Sequence, residues 1–224
     1  MITLKTKDDT AKMREAGLIV AEMLASCRAA VKPGVTTGEL DRIAADILKR
    51  HKATSNFKGY GVPVLPPFPG VICTSVNEQI VHGIPGKRKL KEGEIISIDA
   101  GAIIDGWHAD AAITVPVGAV SPDAEKLIRV TDEALRRAIA AAQVGKRLGD
   151  IGATVQKWVE SQGFTVNQAI DQNMQMQMMR GMNPGANAKA KVQVAEQLKL
   201  VLKDLDKIEN EKLMDTLLKV LDTA

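Results

Sequence analysis

The chain has 224 residues, 45% of them hydrophobic and 25% charged, a composition that permits a buried core and excludes a disordered chain. Its formal net charge of +3 is small and dispersed, which argues against nucleic acid as a partner. Two cysteines cannot build a disulfide framework and no apolar run reaches membrane-spanning length, so we expect a cytoplasmic protein without membrane insertion or an export signal.

The N-terminal part of the chain predicts two helices and a loop. Apolar residues recur near helical spacing over residues 8–31, where Asp9 or Thr10 is the expected N-cap. A second helix is predicted to begin at Thr37, because acidic residues in its first turn favour the positive end of the helix dipole. The Gly/Pro-rich residues 56–70 then predict a loop.

The middle of the chain predicts strands followed by helices. The strand candidates are rich in β-branched residues and occupy residues 71–76, 94–99 and 109–117. A helix is expected from Ser121 to about Val144, because serine can cap it and Pro122 suits a first turn. One more helix is expected over residues 149–162.

Two aspartates bracket a hairpin signal. Asp105 and Gly106 stand between apolar runs and accept the positive φ that a type I′ turn needs. This turn predicts that Asp99 and Asp110 point to one sheet face, diagonally opposite, with Cβ atoms ~7 Å apart. Carboxylates so placed can bind one or two cations. In the alternative interpretation, Asp99 ends a strand, Asp105 belongs to the turn and Asp110 is solvated.

Several motifs, in order, make the chain resemble the type I methionine aminopeptidases. They are K-P-G-V-T-T-G-E-L-D at residues 32–41, C-T-S-V-N-E at 73–78, H-G-I-P at 82–85, I-D at 98–99 and D-G-W-H-A-D at 105–110. The resemblance covers about residues 1–166 and corresponds to the N-terminal half of the family. It implies an α+β fold, half of the pita-bread (creatinase/aminopeptidase-like) fold, in which helices back an antiparallel sheet.

The resemblance also implies a metal and substrate site. Asp99 and Asp110 match two of the family's metal ligands, and His82 matches a residue that contacts the substrate and helps to stabilise the reacting peptide bond. The residues expected to line the pocket for the methionine side chain are Tyr60, Phe68 and Cys73. The implied cofactors are two divalent metal ions, which are Co, Mn, Fe or Zn in the family.

The composition changes after Val166. Residues 167–187 are predicted to be a Met/Gln-rich linker, and residues 188–224 an amphipathic helical tail, since apolar residues recur there at near-helical intervals. The family's second half adds a histidine and two glutamates to the metals, whereas no histidine follows His108 in this sequence. Weak or no metal binding is therefore predicted for this chain alone.

Three functions remain open at this point. The resemblance implies metal-dependent removal of N-terminal methionine from nascent proteins, and the missing ligands leave open whether this chain alone is an enzyme. The alternatives are a non-catalytic binding or assembly module and a truncated chimera that retains half of the aminopeptidase fold. The corresponding partners are the N-terminal methionine of nascent polypeptides, or a second copy or another chain bound through the helical tail.

Overall fold

A computed structural model describes residues 4–61 and 66–166, together with the backbone of residues 191–192. These residues belong to two compact units, one ending at Glu125 and the other beginning at Lys126. The first unit contains both candidate metal ligands. Within the residues described, no helix combines the length and apolar character required to span a membrane.

The first unit is an α+β arrangement in which two helices pack against an antiparallel sheet. Its strand β3 pairs along one edge with β4 and along the other with β2 and β1. The predicted helices and strands are confirmed, whereas the short strand β1 was not predicted. The elements are α1 (Lys7–Ala30), α2 (Thr37–Arg50), β1 (Thr54–Ser55), β2 (Ile72–Val76), β3 (Ile95–Ile104) and β4 (Trp107–Pro116).

Both helices of the first unit begin with a capping box. At α1, the Thr6 hydroxyl accepts a hydrogen bond from the Asp9 backbone N–H, and the Asp9 carboxylate accepts one from the Thr6 N–H. The prediction that Asp9 or Thr10 caps this helix is therefore wrong. Thr6 is the cap, and Asp9 completes the box from the first turn. Thr36 and Glu39 repeat the arrangement at α2.

The core of this unit includes the helix-facing side chains of the sheet. Alternate residues of β3 are fully buried there, namely Ile96, Ile98, Ala100 and Ala102. Helix α1 contributes Ile19, Val20, Met23, Leu24 and Cys27, and helix α2 contributes Leu40, Ala44, Ile47 and Leu48. Burying each large aliphatic side chain stabilises the fold by roughly 1.5–3 kcal/mol. Because side chains alternate along a strand, Asp99 and Gly101 lie on the opposite face.

The second unit includes two helices that meet through a tryptophan. Trp158 Nε1 donates a hydrogen bond to the Val130 carbonyl at 3.0 Å, and the Arg137 guanidinium lies 3.8 Å from the centre of the indole ring. Trp158 therefore links the two helices by a hydrogen bond and a cation–π contact. The elements are α3 (Pro122–Ala141), which begins before the unit boundary, α4 (Leu148–Ser161), β5 (Thr165–Val166) and β6 (Lys191–Val192).

Most of the predicted linker and tail lies outside the described residues. This applies to all of residues 167–187 and to residues 188–224 except Lys191–Val192. Those two residues form a short strand parallel to Thr165–Val166. A helix in the tail therefore does not include them.

The loop between β2 and β3 is docked at two glycines, Gly83 and Gly86. The Gly83 carbonyl accepts a hydrogen bond from the Thr74 N–H at 2.7 Å, and the Gly83 N–H donates to Ser75 Oγ at 3.0 Å. Further along, the Gly86 carbonyl accepts from the Gly38 N–H at 2.8 Å. A Cβ added to Gly83 would overlap the Thr74 carbonyl. Only glycine fits at this position without a shift of the backbone.

The close approach of Gly83 to β2 predicts a large cost for a single methyl group. Gly83→Ala should lower the free energy of unfolding by about 1–3 kcal/mol, since the obstacle is backbone and cannot rotate away. Gly17→Ala is the matched control, because Gly17 lies within α1 and, apart from its own stretch of helix, no atom of the described residues lies within 4 Å of an added Cβ. The free energy of unfolding of Gly17→Ala should rise by roughly 0.5–1 kcal/mol, because glycine within a helix is less stable than alanine. Urea unfolding measures both changes. Equal unfolding midpoints for Gly83→Ala and Gly17→Ala would contradict the docking of Gly83 against β2.

Candidate active site

Asp99 and Asp110 lie on the paired strands of one hairpin. The turn residues Asp105 and Gly106 have φ values of 49° and 78°, as a type I′ turn requires. The register places Asp110 opposite Gly101, two residues from Asp99. Both carboxylates therefore point to the face away from the helices, and the predicted register is confirmed.

The two carboxyl groups are close enough to form a hydrogen bond with each other. Burial raises the pKa of Asp110 to about 6, while the hydrogen bond with Asp99 acts to lower it. Asp110 is thus not the solvated carboxylate of the alternative interpretation. The pair holds a proton at a pH where an exposed aspartate has lost it.

The charge and ligand chemistry of this pair fit a divalent cation. Two neighbouring carboxylates repel when both are ionised, and a proton or a cation relieves that repulsion. Their oxygens and some water are suitable ligands for such an ion. Across residues 4–61 and 66–166, no three His, Cys, Asp or Glu side chains form a group that could hold a metal ion.

Cys73 lies beside the pair on β2. It is directly opposite Asp99 in the strand register and is 4% exposed. Burial, followed by the negative charges of Asp99 and Asp110, raises the pKa of the Cys73 thiol well above its ordinary range. The thiol therefore remains protonated and presents a small, weakly polar surface instead of a nucleophile.

The other candidate residues lie in the two loops that flank β2. The Phe68 N–H donates to the Tyr60 carbonyl at 2.7 Å, so this contact joins two aromatic residues at the base of their loop. Tyr60 is 71% exposed and Phe68 is half-buried. His82 is exposed and has a φ of 57°, immediately before the docked Gly83. The structure thus brings Cys73 to the carboxylate face and leaves these three residues in loops.

The carboxylate face carries polar residues that the sequence did not single out. Ser97 and Thr114 are paired across β3 and β4, with 2.9 Å between their hydroxyl oxygens. Strand alternation could have identified them, because they follow the same period as Asp99 and Asp110. Asn56 also reaches this face, from the end of β1. It has no local sequence signal, since its contacts are with residues distant in the chain.

Comparison with known proteins defines the family of this chain. The sequence profile of metallopeptidase family M24 matches residues 11–197, and the chain belongs to that family. A methionine aminopeptidase from Clostridium acetobutylicum is 48% identical over 167 residues, which are 74% of this chain and 65% of the relative. The chain thus spans slightly less than two thirds of that relative's length. The resemblance inferred from the motifs is confirmed, and the partial coverage agrees with a match to one half.

Solved structures of related proteins share the fold. The crystal structure of methionine aminopeptidase from Rickettsia prowazekii has a TM-score of 0.70 and 37% identity, over 74% of this chain and 64% of that one. An Xaa-Pro dipeptidase from Bacillus anthracis has a TM-score of 0.60 over 72% of this chain and 42% of its own; at 17% identity it shows the fold alone. The predicted α+β class, half of the pita-bread fold, is confirmed.

The raised pKa of Asp110 predicts how the stability of the metal-free chain depends on pH. Folding favours the protonated carboxyl, so its contribution is fully present below the ordinary value of 3.8 and is lost as the pH rises through about 6. As the pH rises from below 3.8 to above about 6, the free energy of unfolding of the wild type should fall by at most about 3 kcal/mol relative to that of Asp110→Asn.

Urea unfolding in the presence of a chelator, at about pH 4 and about pH 7, measures that difference. Asp105→Asn is the matched control, because Asp105 is exposed in the turn and asparagine tolerates its positive φ. The wild type and Asp105→Asn should show the same pH dependence. If the difference in unfolding free energy between the wild type and Asp110→Asn is the same at both pH values, the buried location of Asp110 is contradicted.

Proposed function

We propose that this chain carries part of a methionine aminopeptidase active site, which acts on the N-terminal methionine of nascent polypeptides. The observation that carries the proposal is the carboxylate pair on one sheet face, whose two members stand at the positions that match the family's ligand motif. Family membership and the similarity to a methionine aminopeptidase over 74% of the chain support the same function.

Each candidate residue has a role in this proposal. Asp99 and Asp110 hold divalent cations through their carboxylate oxygens. His82, as an exposed imidazole next to the docked Gly83, contacts the substrate by hydrogen bonding. The side chains that accommodate methionine are Tyr60, Phe68 and Cys73. The protonated thiol suits that role, because a thioether side chain packs well against a small and weakly polar surface.

The cations implied by the family are Co, Mn, Fe or Zn. A bound divalent cation supplies Lewis acidity to a scissile carbonyl and to an attacking water. Retention of the cation depends on the number of ligands and on how well they are preorganised. Since the family's histidine and two glutamates have no identified counterparts in this sequence, we expect weak cation binding and little peptidase activity from this chain alone.

The ligand assignment predicts which carboxylates control cation binding. Titration calorimetry with Co²⁺ or Mn²⁺ should detect weak binding to the wild type and none to Asp99→Asn or Asp110→Asn, because each variant removes one of two anionic ligands. Asp105→Asn should bind the cation as the wild type does. It also removes one negative charge, but from the exposed turn and not from the carboxylate pair.

Cleavage of a Met-Ala-Ser peptide, with and without added cation, provides the second measurement. Little turnover is expected from the wild type. If that activity disappears in Asp110→Asn, it belongs to this site. Efficient cleavage by the wild type would contradict the expectation that this chain alone has little peptidase activity. Identical cation isotherms for the wild type and both ligand variants would reject the ligand assignment and favour a non-catalytic binding module.

A further inference from the structure

Asn56 forms a bridge over strand β3. Its backbone follows β1 on one edge of β3, while its Nδ2 atom donates a hydrogen bond at 3.1 Å to the carbonyl of Ala109 on β4, at the other edge. Ala109 immediately precedes Asp110. The side chain of Asn56 therefore ties the backbone next to a candidate metal ligand to a strand on the far side of β3.

The bridge passes over a residue that has no side chain. Gly101 lies directly opposite Asp110, and an added Cβ would be 2.7 Å from Asn56 Nδ2 and 2.9 Å from Asn56 Cβ. These separations are shorter than ordinary contacts, so any larger residue would displace the asparagine. Gly101 and Asn56 thus act as a pair, in which one leaves the space that the other occupies.

This arrangement leaves one polar atom of Asn56 buried without a hydrogen bond from the described part of the chain, and that cost in stability points to a role beyond packing. Asn56 Oδ1 is buried, and no hydrogen bond to it is formed by the residues that the structure describes. Burying a polar atom without such a bond lowers stability, and sites of this kind are often functional. The hydrogen bond from Nδ2 to Ala109 fixes the orientation of the amide despite that cost.

We propose that Asn56 is a positioning residue for Asp110. By holding the Ala109 carbonyl across Gly101, it sets where β4 lies relative to β3 and therefore how closely the Asp110 carboxyl approaches Asp99. Outer-shell groups that hydrogen-bond metal ligands commonly change metal affinity by 10–100-fold when they are replaced. Asn56 acts one residue away, through the backbone, so the lower end of that range is expected. The consequence for cation affinity rests on the proposed function, whereas the positioning itself does not.

The proposal is tested with Asn56→Ala and, as the control, Ser55→Ala. Ser55 is the preceding residue, and its hydroxyl hydrogen-bonds to Val71, Phe57 and Lys58, so the control removes side-chain hydrogen bonds from the same segment but leaves the bridge intact. Co²⁺ affinity and the visible absorption of bound Co²⁺ are measured at a temperature where both variants are folded. Crystal structures of the metal-free proteins give the separation of the two carboxyl groups.

Asn56→Ala should bind Co²⁺ about tenfold more weakly, change its absorption spectrum and increase the carboxyl separation. Ser55→Ala should lower the melting temperature and change none of these. Equal losses of affinity in the two variants, or an unchanged carboxyl separation in Asn56→Ala, would overturn the proposal. If the wild type binds no Co²⁺, the proposed function fails, and the crystal structures still decide the role of Asn56.

Discussion

The register of the β3–β4 hairpin is the constraint on which the carboxylate face depends. A shift by one residue would send Asp99 towards the helices and would turn Ile98 and Ala100 away from them. Such a shift would exchange buried aliphatic contacts for a carboxylate within the core. The burial that stabilises the sheet therefore also fixes the side on which the two carboxyl groups meet.

The two faces of the sheet differ in chemistry and in their effect on stability. The helix-facing side is filled by aliphatic residues and gains stability from their burial, whereas the other side brings together carboxyl groups that repel when ionised. The close pair can persist because the core fixes the backbone on both sides of it. Gly101 and the docked Gly83 add to this rigidity, since each permits an approach that a side chain would prevent.

Local sequence signals were sufficient for the hairpin and insufficient for its surroundings. The Asp105-Gly106 turn and the alternation of β3 and β4 determined the faces of Asp99 and Asp110, because turn type and side-chain period act over a few residues. The cap of α1 was misplaced by a few residues, since Thr6 and Asp9 share the task in a capping box. Asn56 could not be predicted, because its contact with Ala109 exists only after β1 and the hairpin have paired with each other.

The contiguity of the hairpin has a consequence for the order of folding. Both carboxylates belong to two strands joined by a tight turn, so they can meet without the closure of a long loop. Isolated hairpins form in about 1–10 μs, whereas contacts between distant segments are generally slower. We therefore expect the carboxylates to approach one another while still hydrated, where two charges 4 Å apart repel by only ~1 kcal/mol. We expect desolvation to follow when β1 and β2 pair with β3 and bring Asn56 and Cys73 to the carboxylate face, so that the main electrostatic cost of the site arises late in folding.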